Sequence, residues 1–343
     1  MHNNAEIFEG KIIVKNKKSI NRLHNNKGYG KKLENGKLKI NPVEAFFLLS
    51  ENKITIYDKR GKKISLNKFY RTYFRKFEGF LKKIISYKDL RERGYNLRIY
   101  GDSKKYDFKV TKKKPVKKKC YIKTFYEEEK IKIKKIDKIL KDLEFKKEEL
   151  WLAIVDEEVD VTYYKANRRN LKGNQKESKI SKIKDYLSNN RALILNEKKA
   201  EKLFKNGFFG KPYIKSLQIS SIENLYLQRR NILEKKNRKK EDKLKNKDLE
   251  KYYRYLVYSD LKKRGLIVKT GFKYGSHFRA YSKGPDKSHA EYLITVLPEN
   301  FKFQWLEISR GLRVAQTVNK KMIYSIVKGR DTIKYLELTR FRP

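Results

Sequence analysis

The chain has 343 residues, enough for two or three domains, and 38% of them are hydrophobic, so a chain that is disordered throughout is excluded. Lys and Arg number 88 against 40 Asp and Glu, a formal net charge of +48 that produces strong self-repulsion unless a polyanion is bound. Nucleic acid is therefore the first candidate partner and a membrane surface the weaker one, although an AT-rich coding sequence would explain part of the lysine content on its own.

Several classes of protein are excluded by simple counts. No run approaches the ~18 apolar residues of a membrane-spanning helix, and the N-terminus has no signal-peptide core. The single cysteine, Cys120, excludes an internal disulfide and an all-cysteine zinc site. We therefore expect a cytoplasmic protein with no membrane partner.

The chain contains an internal duplication. The segment 87–94, YKDLRERG, recurs at 258–265 as YSDLKKRG, an offset of 171, and 38–44, LKINPVE, recurs at 217–223 as LQISSIE, an offset of 179. Near the end of each copy, 154–164 is similar to 326–336. Matching segments in the same order at nearly the same offset predict a tandem duplication of a unit of ~165 residues.

Each copy is predicted to begin with a small α+β domain. Strand-like stretches at 11–14 and 191–195 are followed by a short helix, an aromatic–glycine turn and a second helix. That second helix begins at Asn41 in the first copy and at Ser220 in the second, and both residues are favourable N-caps.

The second part of each copy is predicted to be an α/β domain. It opens with a helix that ends at Gly94 or Gly265, where glycine can adopt the left-handed conformation, and strand-like segments, a helix and a closing strand follow. The fold class is thus α/β (α+β). We expect domains at 1–75, 76–165, 191–245 and 246–343, with a polar linker at 166–190.

Two lysine-rich runs, 109–119 and 234–248, allow two interpretations. They are either arms that bind phosphates or solvated loops and helix faces of a lysine-biased sequence.

The four histidines differ in their candidacy for a functional site. His2 is terminal, His24 lies in a polar segment, and His277 lies inside a strand-like stretch. His289 lies between a loop and the apolar strand AEYLITVL, a position where site residues are often held, and Tyr281 begins the same loop.

The segment 310–327 has the spacing of an amphipathic helix. An apolar stripe recurs at Ala315, Val318, Met322 and Ile326, and Arg313 and Lys320 share a face roughly opposite Val318. On spacing alone, those two cations form a solvated basic face.

Residues 258–343 resemble the catalytic C-terminal domain of the archaeal tRNA-intron (tRNA-splicing) endonucleases. The similarity lies in the G-x-x-x-G-x-x-F-x-x-Y run from Gly271 to Tyr281, the SHAEYL that follows, and the V-x-K at 318–320. The segments 28–49 and 207–227 resemble the small N-terminal domain of that family. The resemblance implies a restriction-endonuclease-like catalytic domain and a chain of the two-unit type, which pairs as a homodimer.

The resemblance also implies a function. The family cuts precursor tRNA at bulge–helix–bulge splice sites without a metal or other cofactor, leaving a 2′,3′-cyclic phosphate and a 5′-hydroxyl. Its Tyr, His and Lys correspond to Tyr281 as base, His289 as acid and Lys320 as stabiliser of the charged phosphate, with Lys321 the competing lysine. Two arginines that hold a bulge base correspond to Arg313 and Arg340.

The first copy is expected to be structural. At the position of Tyr281 the alignment places Val110 or Thr111, and no histidine corresponds to His289. Its acidic segment is expected to form a tight turn. The resemblance implies that this turn docks into a basic cleft between neighbouring units, where apolar residues of the strand at 334–338 pair across the dimer. The four acids are Asp156, Glu157, Glu158 and Asp160.

Two alternatives to this function stay open. A metal-dependent nuclease needs paired acids near a lysine, and the second copy offers only Asp286, Glu291 and Glu299. A basic RNA-binding protein without activity is the other alternative.

Overall fold

Two copies of one unit build the chain, and their second domains share a single sheet. The computed structural model describes residues 3–100, 105–112, 119–144, 146–176, 180–234, 248–286, 288–329 and 332–343. Most of the two lysine-rich runs, at 113–118 and 235–247, lies outside the described residues.

The first small domain is a five-stranded sheet with helices packed on one side. Its strand order is β3-β4-β2-β1-β5, and a π-helical turn at Asn21–Asn26 follows the first helix. The elements are β1 (Asn3–Phe8), β2 (Lys11–Val14), α1 (Lys17–Ile20), β3 (Lys31–Lys32), β4 (Leu38–Ile40), α2 (Pro42–Ser50), β5 (Ile54–Tyr57) and α3 (Leu66–Phe74).

The second small domain repeats this plan with a shorter sheet of order β12-β13-β15-β14. Its strands and helices therefore confirm the predicted α+β domain in both copies. The elements are β12 (Leu187–Asn189), β13 (Arg191–Ile194), α6 (Glu197–Gly207), β14 (Lys211–Tyr213), β15 (Ser216–Ile219) and α7 (Ser221–Arg229).

The two second domains are joined in one sheet of ten strands, in the order β16-β17-β18-β20-β21-β11-β10-β8-β7-β6. Helices α4 and α8 pack on one face of this sheet, and α5 and α9 on the other. The first copy contributes α4 (Phe80–Glu92), β6 (Asn96–Ile99), β7 (Phe108–Lys112), β8 (Cys120–Tyr126), α5 (Ile133–Glu144), β10 (Glu149–Val155) and β11 (Val161–Arg168). The second contributes α8 (Leu249–Lys263), β16 (Ile267–Thr270), β17 (Phe278–Tyr281), β18 (Tyr292–Pro298), α9 (Trp305–Thr317), β20 (Lys321–Lys328) and β21 (Thr332–Phe341).

The closing strands of the two copies pair with each other inside the chain. β21 lies between β20 and β11, antiparallel to both, with Tyr164 opposite Arg340 and Ala166 opposite Leu338. A separate two-stranded sheet also links the copies, through β9 (Ile131–Lys132) and β19 (Lys302–Phe303). The expectation that 334–338 pairs across a dimer is therefore wrong, because both edges of this strand already have partners in the same chain.

The segment 166–190 is largely built into the fold. β11 continues to Arg168 and β12 begins at Leu187, before the expected boundary at 191. Between them, the Gly173 amide donates to the Arg264 carbonyl at 2.9 Å, and the Asn174 amide donates to the Ser282 carbonyl at 2.9 Å. This segment therefore supports the loop that follows Tyr281.

The helix expected over 310–327 is wrong beyond Thr317. Asn319 has a φ of 50°, a left-handed conformation that ends the helix, and the Lys320 amide donates to the Ala315 carbonyl at 2.8 Å. Met322 and Ile326 lie instead on β20, in the run MIYSIV, whose β-branched and aromatic residues favour a strand. Helical spacing and a buried strand both place apolar residues four apart, which is why the stripe was misleading.

A glutamate buried at the start of α2 and of α7 organises each small domain. Asn41 and Ser220 cap these helices, and each forms a capping box with the glutamate at the third helical position. Glu44 also accepts from the Gly30 amide at 3.3 Å, and Glu223 accepts from the Gly210 amide at 3.0 Å. The duplicated aromatic–glycine turns are thus held by the duplicated helix caps.

The surroundings of the two glutamates differ in charge. Glu44 accepts from the hydroxyl of Tyr87 at 3.2 Å, whereas Glu223 lies 3.5 Å from the ammonium of Lys269 on β16. Lys262, on α8, lies near Glu223, and burial lowers its pKa to about 8. Glu223 therefore connects the second small domain to β16, the outermost strand of the large sheet.

Neutralising Glu44 should remove a pH dependence from the first small domain. Burial raises the pKa of Glu44 from 4.5 to about 7, so the folded state keeps a proton that the unfolded chain releases. Stability therefore falls as the pH rises from 4.5 to about 7, by on the order of 3 kcal/mol. In Glu44→Gln this decline should disappear, measured as hydrogen exchange of the α2 amides against the parent at each pH.

Glu223→Gln is the matched substitution in the second copy. It should lower the stability of its own small domain at neutral pH. Removing this carboxylate takes away the negative charge that faces the buried ammonium groups of Lys269 and Lys262. Breaking a buried ion pair lowers the free energy of unfolding by about 3–5 kcal/mol. The α7 amides should therefore exchange faster at neutral pH. An α2 that loses protection with pH equally in Glu44→Gln and the parent would contradict the assignment.

Candidate active site

Three segments of the second copy converge at one edge of the ten-stranded sheet. The pairing register places Ala280 beside Tyr292 and Tyr292 beside Lys321, in one row across β17, β18 and β20. Tyr281 follows Ala280 by one residue, His289 precedes Tyr292 by three, and Lys320 precedes Lys321 by one. Because β17 runs antiparallel to β18 and β20, all three lie on the same side of this row. The three residues selected from the sequence thus share one edge of the sheet.

Tyr281 is held firmly at the end of β17. Its side chain is 7% exposed and packs with Ile267, Ala290 and Phe208. Phe208 is the C-cap of α6, so the second small domain contacts this tyrosine directly.

His289 is exposed, and its neighbours fix the backbone on both sides. Ala290 is buried beside Tyr281, and the Glu291 amide donates to the Ala280 carbonyl at 3.1 Å. Earlier in the loop, the Ser282 hydroxyl donates to the Glu291 carboxylate. An exposed imidazole on an anchored backbone is accessible to a large substrate.

Lys320 and Lys321 are in different surroundings. Lys320 is half-buried, and its ammonium lies 5.8 Å from the ring centroid of Tyr274 and 3.4 Å from the Val318 carbonyl. Lys321 is exposed, and its amide donates to the Glu291 carbonyl at 2.9 Å. Tyr274 packs on the α9 side of the sheet.

Tyr281 also lies on the α9 side. Along β17, Phe278 and Ala280 belong to the core beneath α8, so Arg279 and Tyr281 point to the opposite face. This shared face favours Lys320 over Lys321 as the partner of Tyr281. The helical face on which the choice was first based does not exist beyond Thr317.

Arg313 and Arg340 are both exposed and both lie near Tyr164. Arg340 is opposite Tyr164 in the strand register, and Tyr164 stacks on Trp305 of α9 with a centroid distance of 6.0 Å. Burial raises the pKa of Tyr164, and the positive charges of Arg340 and Arg313 act against this rise. The two guanidinium groups therefore project from neighbouring elements of the α9 side.

The acidic segment forms the expected tight turn between β10 and β11. The Asp160 amide donates to the Asp156 carboxylate at 2.8 Å, and Val159 adopts a φ of 70°. Glu157, Glu158 and Asp160 are exposed. The turn is at the same edge of the sheet as Tyr281, but four strand spacings separate β11 from β17, about 19 Å.

The first copy has different residues at the matching positions. Phe108 pairs with Ile122 as Phe278 pairs with Ile294, which aligns Thr111 with Tyr281. Glu149 starts β10 as Lys321 starts β20, so Glu148 matches Lys320. The position of His289 falls within 113–118, outside the described residues.

One further cation at the site was missed in the sequence. The guanidinium of Arg279 lies 5.9 Å from the ring centroid of Tyr281, and its Nε is buried with no acceptor among the described residues. The alternation of FRAY along β17 was the available signal, because residues two apart share a face.

Comparison with protein families agrees with this arrangement. The family model described as the tRNA intron endonuclease catalytic C-terminal domain matches residues 252–335. The model for the N-terminal domain of the same family matches twice, at 4–70 and 183–249. The chain belongs to the tRNA intron endonuclease family.

Known relatives of two lengths match the chain. A protein named tRNA-splicing endonuclease from Methanococcoides burtonii is 33% identical over 98% of this chain and 99% of its own length. One of the same name from Methanosarcina mazei is 30% identical over 98% of each chain. A third, from Methanothermobacter thermautotrophicus, is 39% identical over 89% of its own length but 42% of this chain, which agrees with the internal duplication.

The described residues contain neither a candidate membrane span nor a candidate metal cluster. Over the described ranges, no helix is both long enough and apolar enough to cross a membrane. Within the same residues, no three His, Cys, Asp or Glu side chains are grouped so that they could hold a metal ion.

Proposed function

We propose that this chain excises introns from precursor tRNA by cutting at bulge–helix–bulge splice sites, with no metal ion in the reaction. The convergence of Tyr281, His289 and Lys320 at one sheet edge carries this proposal. That edge lies in the domain matched by the catalytic family model, and relatives of the same length are named tRNA-splicing endonucleases.

The three side chains suit a transesterification. The phenolate oxygen of Tyr281 takes the proton of the ribose 2′-hydroxyl, and the 2′-oxygen attacks the adjacent phosphorus. The bond to the 5′-oxygen breaks, His289 gives that oxygen a proton, and the products are a 2′,3′-cyclic phosphate and a 5′-hydroxyl. Lys320 stabilises the extra negative charge on the pentavalent phosphate.

Cleavage of a synthetic bulge–helix–bulge RNA in the presence of EDTA tests this function against both alternatives. Cutting should continue at the parent rate in EDTA, and the products should carry cyclic phosphate ends. Cutting that stops in EDTA and returns with Mg²⁺ would support a metal-dependent nuclease. Tight binding without any cutting would support a non-catalytic RNA-binding protein.

The lysine assignment predicts unequal effects of two adjacent substitutions. Lys320→Ala should reduce the single-turnover rate by on the order of 10²–10³-fold, as for loss of one group that stabilises transition-state charge. Lys321→Ala, with its exposed side chain, should reduce the rate far less. Equal losses would show that the lysine has been assigned wrongly.

Arg313 and Arg340 are proposed to hold a bulge base between them. Their joint proximity to Tyr164 supports this role, because guanidinium planes stack on unpaired bases. Such a clamp would fix the bulge while the sheet edge acts on the phosphate.

A homodimer is the proposed assembly. Excision of one intron needs two cuts, whereas each chain carries one set of Tyr281, His289 and Lys320. The exposed acidic turn of the first copy is proposed to dock into a basic cleft of the partner chain. We further propose that the protein acts in the cytoplasm, which is supported by its lone, buried Cys120.

A further inference from the structure

The second small sheet has an exposed face whose counterpart in the first copy carries a carboxylate. One side of β12–β15 faces the core, through Ala192, Ile194, Leu217 and Ile219. Strand alternation and pairing place the remaining side chains on the other side, here called the outer face: Leu187, Asn189, Arg191, Leu193, Lys211, Tyr213, Ser216 and Gln218.

The outer face forms an open groove of about 680 Å³. Leu187 is 57% exposed and Tyr213 is 62% exposed, although both are large apolar side chains. Within the described part of the chain, no other ring and no cation packs on the Tyr213 ring. A surface of this kind is usually covered by a partner.

The duplicated copy provides an internal comparison. In the first small sheet, Glu6 lies opposite Ile13 and forms an ion pair of 2.5 Å with Lys15. In the second, Leu187 lies opposite Leu193 at the matching place. The residues of the outer face therefore include no carboxylate, and its charged groups are the cations Arg191 and Lys211.

We propose that the outer face binds unpaired nucleotides of the RNA substrate, with a base stacked on Tyr213 and phosphates paired with Arg191 and Lys211. An exposed aromatic ring flanked by cations is the arrangement that binds single-stranded nucleic acid. A second copy of this chain is the poorer occupant, because a formal charge of +48 on each copy disfavours contact between two basic faces.

The outer face is close to the proposed cleavage site. Phe208 packs against Tyr281, and the carbonyl of Gly210 accepts from the ammonium of Lys269 at 2.7 Å. Tyr213 follows Phe208 by five residues, a span of at most about 17 Å. This inference rests on the proposed function, since it takes the RNA cut at Tyr281 as the ligand.

The test is the affinity for a bulge–helix–bulge RNA with 2′-deoxyribose at the cleavage positions, which binds but cannot be cut. One stacked base contributes ~1–3 kcal/mol, so Tyr213→Ala should weaken binding by roughly 5- to 150-fold. Tyr213→Trp should restore the affinity. The fluorescence of 2-aminopurine placed in a bulge should be quenched on binding to the parent, and this quenching should be lost only in Tyr213→Ala. At an enzyme concentration that binds all of the cleavable RNA, the single-turnover rate of Tyr213→Ala should match that of the parent.

Phe8→Ala is the matched control, since Phe8 is an aromatic residue of the first small sheet that is 55% exposed. It should bind the RNA like the parent. Unchanged RNA affinity in Tyr213→Ala would overturn the proposal. If Tyr213→Ala instead lost the dimer but kept its RNA affinity, the outer face would be assigned to contact with a second copy. If the parent binds RNA through Tyr213 but never cuts it, the proposed function fails and the outer face stands.

Discussion

His289→Ala should reduce single-turnover cleavage by ~10²–10⁴-fold while RNA affinity stays close to that of the parent, because general acid catalysis acts on the transition state. The exposed imidazole packs into no core cluster, so its loss should leave the fold intact. The effect should be largest for a poor leaving group. In an RNA whose 5′-oxygen is replaced by sulfur, the thiolate leaves without needing a proton. This RNA should therefore restore most of the rate of His289→Ala.

His24→Ala is the matched control for this substitution. His24 lies in the small domain of the first copy, and its ring nitrogen is 2.8 Å from the carbonyl of Tyr29, so its contact is local to that domain. The control should cut RNA at the parent rate. If the sulfur-containing RNA is cut as poorly as the normal one by His289→Ala, His289 does not act as the acid.

Much of the fold could be predicted because the duplication doubled each local signal. The N-caps Asn41 and Ser220 and the glycines after α4 and α8 are determined by contacts within a few residues, which a sequence pattern records. Tyr281, His289 and Lys320 were grouped through the resemblance to the tRNA intron endonuclease family, whose motif residues border strand ends.

The remaining features depend on contacts between distant residues. The end of α9 at Thr317 is decided by a buried strand beyond it, which pairs with β18 and β21, and helical spacing cannot detect such pairing. Similarly, the pairing of β11 with β21 joins residues more than 160 positions apart. No local pattern distinguishes this pairing from the same strand contact made between two chains.

This intrachain pairing leaves the acidic turn as the proposed contact between chains. β21 has partners on both edges, whereas the turn between β10 and β11 is exposed and carries four acids on a strongly basic protein. Opposite charges at a partly desolvated interface fix its register, and loss of one side costs ~2–5 kcal/mol. β11, which follows the turn, is four strand spacings or about 19 Å from β17 of its own chain, and the exposed turn is proposed to reach the site of a partner instead.

Neutralising the turn should therefore weaken the dimer by roughly 30-fold or more and abolish cleavage at low enzyme concentration, with Tyr281, His289 and Lys320 unchanged. Amide replacements are the sharpest variants, because Asn at 156 keeps an oxygen for the Asp160 amide and so preserves the turn. The variant combines Asp156→Asn, Glu157→Gln, Glu158→Gln and Asp160→Asn. Analytical ultracentrifugation measures the dimer, and cleavage at rising enzyme concentration should recover as dimers re-form.

The control neutralises four exposed acids elsewhere in the first copy, which adds the same charge without touching the turn: Glu9, Glu34, Glu78 and Glu92. This control should stay dimeric and active, since a general increase in positive charge is not the cause of the effect. A turn variant that remains a fully active dimer would show that the acids are only a solvated hairpin. A parent that is active as a monomer would remove the need for a partner, because each chain would then make both cuts with its single set of Tyr281, His289 and Lys320.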